Sequence, residues 1–166
     1  MRSLILDKRA LKQKITRLAF QICEDLFEEE ELCLIGIMSG GYRTAKLLQA
    51  EIEKIKSFKL NLSSLKINKE KPFAQKIELS EELDFYKNKA CLIVDDVANS
   101  GRTIFYALEP FSRIELKSMK VAVLVDRTHK KFPIACDFVG TSLATTIREH
   151  IEVVFEEEDV EAAYLI

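Results

Sequence analysis

The apolar positions at the start of the chain recur with helical spacing and then give way to a strand-like run. They are Leu11, Ile15, Leu18, Ile22 and Leu26. Steps of three and four residues predict an amphipathic helix, and Asp7 precedes it as a candidate N-cap. The continuous apolar run at residues 32–37 predicts a buried strand, and the pattern at residues 42–56 predicts a second helix.

Strands and helices continue to alternate until the final third of the chain. Strands are predicted at residues 60–67, 90–97, 119–125, 135–139 and 151–155, with a helix at residues 103–111 and an edge strand at residues 162–166. This alternation implies parallel pairing through right-handed crossovers. We therefore predict one α/β domain over residues 1–166, with an open, twisted, mostly parallel sheet, helices on both faces and a small C-terminal hood.

The segment at residues 68–83 interrupts this order. It is charged and rich in lysine, has few large apolar residues, and contains Pro72. Such a composition predicts a mobile loop, with room for a short hairpin, that closes over a bound ligand.

The charge balance limits the possible partners. The 166 residues carry 25 Lys and Arg against 27 Asp and Glu, a formal net charge of −2. Binding of nucleic acid along the whole surface would require a basic excess. No apolar run approaches the ~20 residues of a membrane span, and four scattered cysteines without a Cys-x-x-Cys pair favour free thiols. We expect a cytoplasmic protein without a membrane partner.

The most informative stretch is residues 92–104, Leu-Ile-Val-Asp-Asp-Val-Ala-Asn-Ser-Gly-Arg-Thr-Ile. A hydrophobic strand ends in Asp95 and Asp96, and a glycine-containing turn then leads into a helix. In open α/β sheets ligands bind beyond the carboxyl ends of the strands, where free N–H groups of such a turn can hold an anion. The acid that faces the crevice can accept hydrogen bonds from sugar hydroxyls.

This stretch resembles the motif of type I phosphoribosyltransferases that binds 5-phosphoribosyl 1-pyrophosphate (PRPP). The resemblance implies that Asp95 and Asp96 bind the ribose hydroxyls. It assigns the 5′-phosphate to the turn, whose residues are Ala98, Asn99, Ser100, Gly101, Arg102 and Thr103.

The likeness extends over nearly the whole chain and is greatest to the pyrimidine operon attenuation regulators, which also have uracil phosphoribosyltransferase activity. It is carried by Ile5-Leu6-Asp7, Ile15–Ala19, Gly36-Ile37, Ala45-Lys46, residues 123–127, His129, Pro133-Ile134 and residues 137–140. It implies a pyrophosphate loop at Ser39, Gly40 and Gly41. Arg127 follows the buried strand at residues 119–125, so we expect it at the active end of the sheet, where it assists catalysis by attracting the anionic PRPP and pyrophosphate. The resemblance further implies that a hood at residues 137–146 recognises the base. The base-binding residues are then Asp126, Phe138, Val139 and Gly140.

Three departures from the family pattern bear on these roles. Residues 38–41 lack the Arg that relatives place beside the glycine, and Lys66-Ile67-Asn68 replaces an Arg-Asp-Asp run before a shortened loop. Asn99 stands where purine enzymes carry a catalytic Asp, and Asn cannot take up a proton at neutral pH.

We expect transfer of ribose 5-phosphate from PRPP to a nucleobase, with uracil preferred, through an oxocarbenium-like transition state. Mg²⁺ is the expected cofactor, held mainly by PRPP oxygens and water rather than by a cage of protein ligands. The alternatives are an RNA-binding regulator of pyrimidine genes that senses nucleotides in the same pocket, and a phosphoribosyltransferase for another base. A homo-oligomer is expected; RNA is a possible partner that the acidic runs at residues 28–31 and 156–159 do not favour.

Overall fold

A computed structural model describes residues 2–146 and 148–166. The strands are β1 (Ser3–Asp7), β2 (Glu31–Ile37), β3 (Lys59–Lys66), β4 (Glu78–Leu79), β5 (Ala90–Ala98), β6 (Ser118–Arg127), β7 (Phe138–Leu143), β8 (Ile151–Glu156) and β9 (Asp159–Leu165). The α-helices are α1 (Lys8–Asp25), α2 (Gly40–Ile55) and α3 (Arg102–Ala107). Short 3₁₀ helices occupy Leu83–Tyr86 and Glu109–Arg113.

The main sheet has six strands in the order β4-β3-β2-β5-β6-β7. Strands β3, β2, β5, β6 and β7 are parallel to one another, and the two-residue β4 is antiparallel to β3. The predicted α/β class and mostly parallel sheet are therefore confirmed. The polar segment at residues 68–83 contributes only β4, which pairs with the end of β3 instead of forming a hairpin within the segment.

Helices cover both faces of the main sheet, and residues alternate between two cores. Leu32 and Leu34 of β2 pack with α1 and α2, whereas Cys33 and Ile35 face the other core with Ile104 of α3. As expected, Asp7 caps α1, and its Oδ1 accepts a hydrogen bond from the Ala10 N–H at 2.8 Å.

The hood is a second, antiparallel sheet of three strands in the order β1-β9-β8. The sequence predicted a C-terminal hood, but not that β1 joins it from the other end of the chain. The expected edge strand at residues 162–166 is instead part of β9, which lies in the middle of this sheet.

Two further boundaries differ from the prediction. The strand expected at residues 135–139 begins only at Phe138 and runs to Leu143. The helix expected at residues 103–111 ends at Ala107 and continues as a 3₁₀ helix that includes Pro110, because proline has no N–H for an α-helical hydrogen bond. Within residues 2–146 and 148–166, no helix is long and apolar enough to cross a membrane.

Candidate active site

The main sheet has a switch point between its two central strands. From β2 the chain passes through α2 to β3 on one side, and from β5 it passes through α3 to β6 on the other side. The loops that follow β2 and β5 therefore diverge and leave a crevice, which is the usual ligand site of an open α/β sheet. These loops are residues 38–39, which lead into α2 at Gly40, and residues 99–101. They contain parts of the predicted pyrophosphate loop at residues 39–41 and of the predicted phosphate turn at residues 98–103.

The glycines after β2 pass directly against the two acids at the end of β5. A Cβ atom on Gly40 would lie 2.3 Å from Asp96 Oδ2. On Gly41 it would lie 2.5 Å from the Val94 carbonyl oxygen and 3.0 Å from Asp95 Oδ1. Only residues without a Cβ allow this approach, so the sequence Gly40-Gly41 brings the loop and the acids into one site.

The loop itself offers backbone groups and one free hydroxyl. Ser39 is exposed and its side chain makes no capping hydrogen bond to α2, which begins at Gly40. The Met38–Ser39 peptide bond is cis. Thr44 Oγ1 donates to the Gly40 carbonyl at 2.9 Å and holds the first turn of the helix.

Asp95 is an acid in an unfavourable place for its charge. Its side chain is 2% exposed, and burial together with the neighbouring Asp96 raises its pKa well above the ordinary value. Asp95 Oδ1 accepts a hydrogen bond from the Asp96 N–H at 3.0 Å. Lys69 Nζ lies 3.7 Å from the same oxygen and opposes the rise in pKa. Hydroxyl donors of a ligand would stabilise this carboxylate further.

The turn after β5 depends on the backbone conformation of a glycine and on hydrogen bonds from residues 131–132. Gly101 has a φ of 81°, in the left-handed region that favours glycine. Ser100 Oγ accepts a hydrogen bond from the Arg102 N–H at 3.3 Å. The Ser100 carbonyl accepts hydrogen bonds from the N–H groups of Lys131 and Phe132, at 3.0 and 3.1 Å.

A cleft of about 230 Å³ lies over this turn. Its lining consists of Lys69, residues 95–104 and residues 151–153. All six predicted residues of the phosphate turn and both acids therefore line one cavity, whose opposite wall is the first half of β8.

Asn99 joins the turn to the second sheet. Its Nδ2 donates to the Ile151 carbonyl at 3.2 Å, and its Oδ1 accepts from the Ile151 N–H at 3.1 Å. Both ends of the amide are thus used by one backbone unit of β8, and Asn99 fixes the width of the cleft at this point.

Arg127 lies at the end of β6 but its guanidinium turns away from the cleft lining. It is 3% exposed, and it donates from Nε to Thr145 Oγ1 at 2.6 Å and from Nη2 to the Thr146 carbonyl at 2.6 Å. These contacts hold the segment after β7. Arg127 is therefore not among the residues that the structure gathers around the acids, whereas its position after a buried strand had predicted a catalytic role beside the substrate.

The four predicted base-binding residues are divided between two places. Asp126 lies beside Ala98 in the sheet register, and its carboxylate accepts a hydrogen bond from Lys130 Nζ. Phe138, Val139 and Gly140 instead form the first half of β7. The expectation that these three lie in a hood is wrong, because they pair within the main sheet.

Packing explains the position of the β7 residues. Phe138 is 5% exposed within the core under α1, and a Cβ on Gly140 would lie 2.3 Å from the Leu124 carbonyl oxygen. Arg17 of α1 donates to the Val139 carbonyl at 3.0 Å. None of the three lines the cleft.

The sequence did not point to Lys69 or to residues 151–153 as part of the site. Lys69 is one of several lysines in a polar loop, and nothing in its spacing distinguishes it. Ile151, Glu152 and Val153 read as an ordinary short strand, and Glu152 pairs with Arg2 of the N-terminal segment at 2.8 Å. Their place beside the phosphate turn results from contacts over about 50 residues, which short-range patterns do not reveal.

The fold and cleft together place two acids, a glycine-containing turn and the glycines after β2 at a switch point of an open α/β sheet. Residues 1–159 match the family model described as the phosphoribosyl transferase domain. The chain belongs to this phosphoribosyltransferase family, whose activity is a glycosyl transfer and whose members generally use Mg²⁺ with PRPP.

Curated relatives cover almost the whole chain. The sequence is 34% identical over 166 residues to the bifunctional protein PyrR of Caldicellulosiruptor bescii, with 93% of this chain and 89% of that protein covered. It is also 34% identical to the bifunctional protein PyrR of Clostridium novyi, with 99% and 97% covered.

Solved structures share the fold at lower identity. A hypoxanthine-guanine phosphoribosyltransferase of Bacillus anthracis aligns with a TM-score of 0.71 at 23% identity, covering 85% of this chain and 82% of that one. The hypoxanthine phosphoribosyltransferase of Trypanosoma cruzi aligns with a TM-score of 0.77 at 15% identity, covering 96% and 95%.

Proposed function

We propose that the protein transfers the phosphoribosyl group of PRPP to uracil and releases pyrophosphate. The observation that carries this proposal is the meeting of Asp95 and Asp96 with Gly40 and Gly41 beside the turn at residues 98–103. A candidate site for ribose hydroxyls and a candidate site for a 5′-phosphate then share one cleft, and the glycines at residues 40–41 pack against its two acids.

The parts of PRPP are assigned accordingly. Asp95 and Asp96 accept hydrogen bonds from the ribose hydroxyls, and the N–H and hydroxyl groups of residues 98–103 bind the 5′-phosphate. The loop Ser39-Gly40-Gly41 contributes backbone N–H groups and the Ser39 hydroxyl to the diphosphate. Asp126 stays a candidate for the base, because it lies at the same edge of the sheet.

The reaction breaks the bond between C1 of the ribose and a pyrophosphate oxygen, and forms a bond from C1 to a ring nitrogen of the base. The transition state resembles an oxocarbenium ion, as in other glycosyl transfers. The protein acts by fixing the ribose, stabilising the separating charges and excluding water. The buried carboxylate of Asp95 lies next to the proposed ribose position. Positive charge that develops on the ribose in the transition state would stabilise the ionised form of Asp95.

Mg²⁺ is the proposed cofactor, and the acids at the end of β5 suit it. Carboxylate oxygens are ligands that Mg²⁺ prefers. Because Gly40 and Gly41 have no Cβ atoms, the backbone proposed to bind the diphosphate lies directly against Asp95 and Asp96. The ion would be held mainly by PRPP oxygens and water beside these carboxylates. When bound, it neutralises charge on the departing pyrophosphate.

Uracil is preferred over purines for two reasons. The sequence resembles that of the pyrimidine operon attenuation regulators, and its PyrR relatives are 34% identical, against 23% or less for the purine phosphoribosyltransferases described above. Asn99 also supplies no carboxylate to the cleft, since its amide is bonded to Ile151.

Steady-state kinetics with PRPP, Mg²⁺ and a panel of uracil, orotate, adenine, guanine and hypoxanthine test this proposal. Pyrophosphate release should be most efficient with uracil. Comparable or greater efficiency with guanine or hypoxanthine would reject uracil as the substrate while leaving the phosphoribosyltransferase assignment. Release with none of the bases would contradict both.

RNA binding is a second candidate function, supported by the word bifunctional in the names of the relatives. The exposed face of α1 carries Lys8, Arg9, Lys12 and Arg17. However, Lys8 and Lys12 form ion pairs with acids of β9, including a 2.8 Å contact from Lys12 to Asp159. Electrophoretic mobility shifts with pyrimidine-operon leader RNA would reveal this function independently of transfer activity.

A further inference from the structure

The departing diphosphate poses an electrostatic problem for this site. The loop that would receive it, residues 38–41, reads Met-Ser-Gly-Gly and has no cationic side chain. Two acids lie directly against its glycines, with Asp96 Oδ2 at 2.3 Å from the position of a Gly40 Cβ. Anions close to carboxylates need a compensating cation, and Mg²⁺ alone would face both acids and the diphosphate.

Lys69 is a cation that the structure brings to this point. It follows β3, which lies next to β2, and the Met38 N–H donates to the Leu65 carbonyl at 2.9 Å. The end of β3 is therefore bonded to the start of the loop at residues 38–41. Lys69 lines the cleft together with Asp95 and Asp96.

The backbone after β3 holds Lys69 in this direction. Asn68 Oδ1 accepts hydrogen bonds from the N–H groups of Glu70 and Lys71, both at 3.0 Å, and so forms a turn around Lys69. The side chain itself stays free to move, because it is 45% exposed and contacts Asp95 Oδ1 only at 3.7 Å. A lysine on a flexible four-carbon stem can shift between neighbouring anions at little cost.

We propose that Lys69 binds the diphosphate of PRPP and the released pyrophosphate, and so supplies the positive charge that residues 38–41 lack. This inference rests on the proposed function. In the free protein Lys69 rests against Asp95. When ribose hydroxyls donate to Asp95, the ammonium group is released to the diphosphate oxygens on the adjoining loop.

Lys69 has a simpler alternative role, which is to neutralise Asp95 without contacting the diphosphate. Lys69 would also stay near the cleft if it served only to neutralise the buried Asp95. In that case its loss would weaken every ligand whose ribose binds to the acids. If it binds the diphosphate, its loss would weaken pyrophosphate and leave a ribose phosphate unaffected.

Calorimetric titration of wild-type protein, Lys69→Met and Lys71→Met distinguishes these roles. The probes are pyrophosphate and ribose 5-phosphate, each with excess Mg²⁺. Lys71→Met is the matched control, because it removes the same charge from an exposed position on the same loop. We expect Lys69→Met to weaken pyrophosphate binding about 10- to 100-fold, the range for a hydrogen bond to a charged group. Ribose 5-phosphate should bind all three proteins equally, and Lys69→Arg should recover much of the pyrophosphate affinity.

Unchanged pyrophosphate affinity in Lys69→Met would overturn the inference, and so would an equal loss for both probes. Wild-type protein that binds ribose 5-phosphate but not pyrophosphate would contradict the role of Lys69 alone. Wild-type protein that binds neither probe would contradict the proposed function as well.

Discussion

The side-chain amide of Asn99 is hydrogen-bonded at both ends to the backbone of Ile151, with Nδ2 to the carbonyl at 3.2 Å and Oδ1 to the N–H at 3.1 Å. An amide is needed for this arrangement, because one group must donate while its neighbour accepts. The contact joins the phosphate turn of the main sheet to β8 of the second sheet, and Ile151 is only 4% exposed. The two hydrogen bonds to Ile151 therefore explain why an amide side chain, and not a carboxylate, occupies position 99.

We predict that Asn99→Asp is less stable than wild type at pH 7.5 and recovers on acidification. The carboxylate still accepts from the Ile151 N–H, but it faces the Ile151 carbonyl without a proton to donate. The expected loss is about 1–3 kcal/mol of unfolding free energy. Protonation restores a donor, so the pKa of the new carboxyl is raised in the folded state and the loss disappears as pH falls through it.

Thermal unfolding at pH 7.5 and pH 5 measures this difference. Asn99→Ala is the control, since it loses both hydrogen bonds at either pH and its deficit should not vary. Equal deficits of the Asp variant at both pH values would show that the hydrogen bonds to Ile151 do not stabilise the fold.

The glycines after β2 should respond differently to an added methyl group. The Cβ of Gly41→Ala would meet the backbone carbonyl of Val94 at 2.5 Å, whereas that of Gly40→Ala would meet the Asp96 side chain. We predict that Gly41→Ala loses about 1–3 kcal/mol of stability, the usual cost of overpacking. Gly40→Ala should keep more stability and lose PRPP affinity, because the Asp96 carboxylate must move.

Urea unfolding and calorimetric titration with PRPP test the two variants together. Ser39→Ala is a suitable control for stability, since Ser39 is exposed and makes no capping bond; its stability should stay within about 0.5 kcal/mol of wild type. A Gly40→Ala variant with wild-type PRPP affinity would contradict the position assigned to Asp96.

Asp95→Asn should stabilise the folded protein at neutral pH. Burial and Asp96 raise the pKa of Asp95 above its ordinary value of 3.8, so ionised Asp95 destabilises the fold. A raised carboxyl pKa contributes stability that is present below the unfolded pKa and is lost as pH rises through the folded pKa. The variant should therefore match wild type well below pH 4 and exceed it by about 0.5–2 kcal/mol at neutral pH.

Thermal unfolding over this pH range provides the measurement, with about 2–4 °C expected per kcal/mol. An Asp95→Asn variant that is less stable than wild type at pH 7 would mean that Lys69 and the local hydrogen bonds more than offset the burial of the charge.

The parts of the candidate site that follow from short sequence runs lie at the edge of the sheet where the sequence pattern placed them. Asp95 and Asp96 lie near the carboxyl end of β5, which continues to Ala98 although the acids were expected to end the strand, and Gly40 and Gly41 follow β2. Parallel strands bring their carboxyl ends to one edge, so local patterns were sufficient to bring these four residues together. The Asp7 cap of α1 was predictable for the same reason, since its partner is three residues away.

The parts that depend on distant contacts were not predictable. The second sheet combines β1 with β8 and β9 from the opposite end of the chain. Phe138 was expected in a hood, but its aromatic side chain packs into the core under α1. Arg127 was expected near the substrate, but the position of Thr145 decides where its guanidinium points.

The loop between β3 and the 3₁₀ helix at Leu83–Tyr86 should be more mobile without ligand. Its regular pairing is limited to β4, where Leu79 pairs with Leu65 and Glu78 with Lys66. We predict that amides at residues 69–77 exchange rapidly in the free protein and slow down when PRPP and Mg²⁺ are added, because Lys69 then binds the ligand. Hydrogen exchange with mass spectrometry tests this, and uniformly slow exchange in the free protein would contradict a closing loop.

One calorimetric comparison tests whether Asp95 and Asp96 bind the ribose of PRPP. PRPP with Mg²⁺ is titrated into wild-type protein and into the Asp95→Asn/Asp96→Asn double variant, after circular dichroism has shown that both are folded. Asn has nearly the same shape as Asp, and the substitutions remove two adjacent charges, one of them on a side chain that is only 2% exposed, so the variant should fold. We predict binding to wild type and no measurable binding to the folded double variant; wild-type PRPP affinity in that variant would contradict the account.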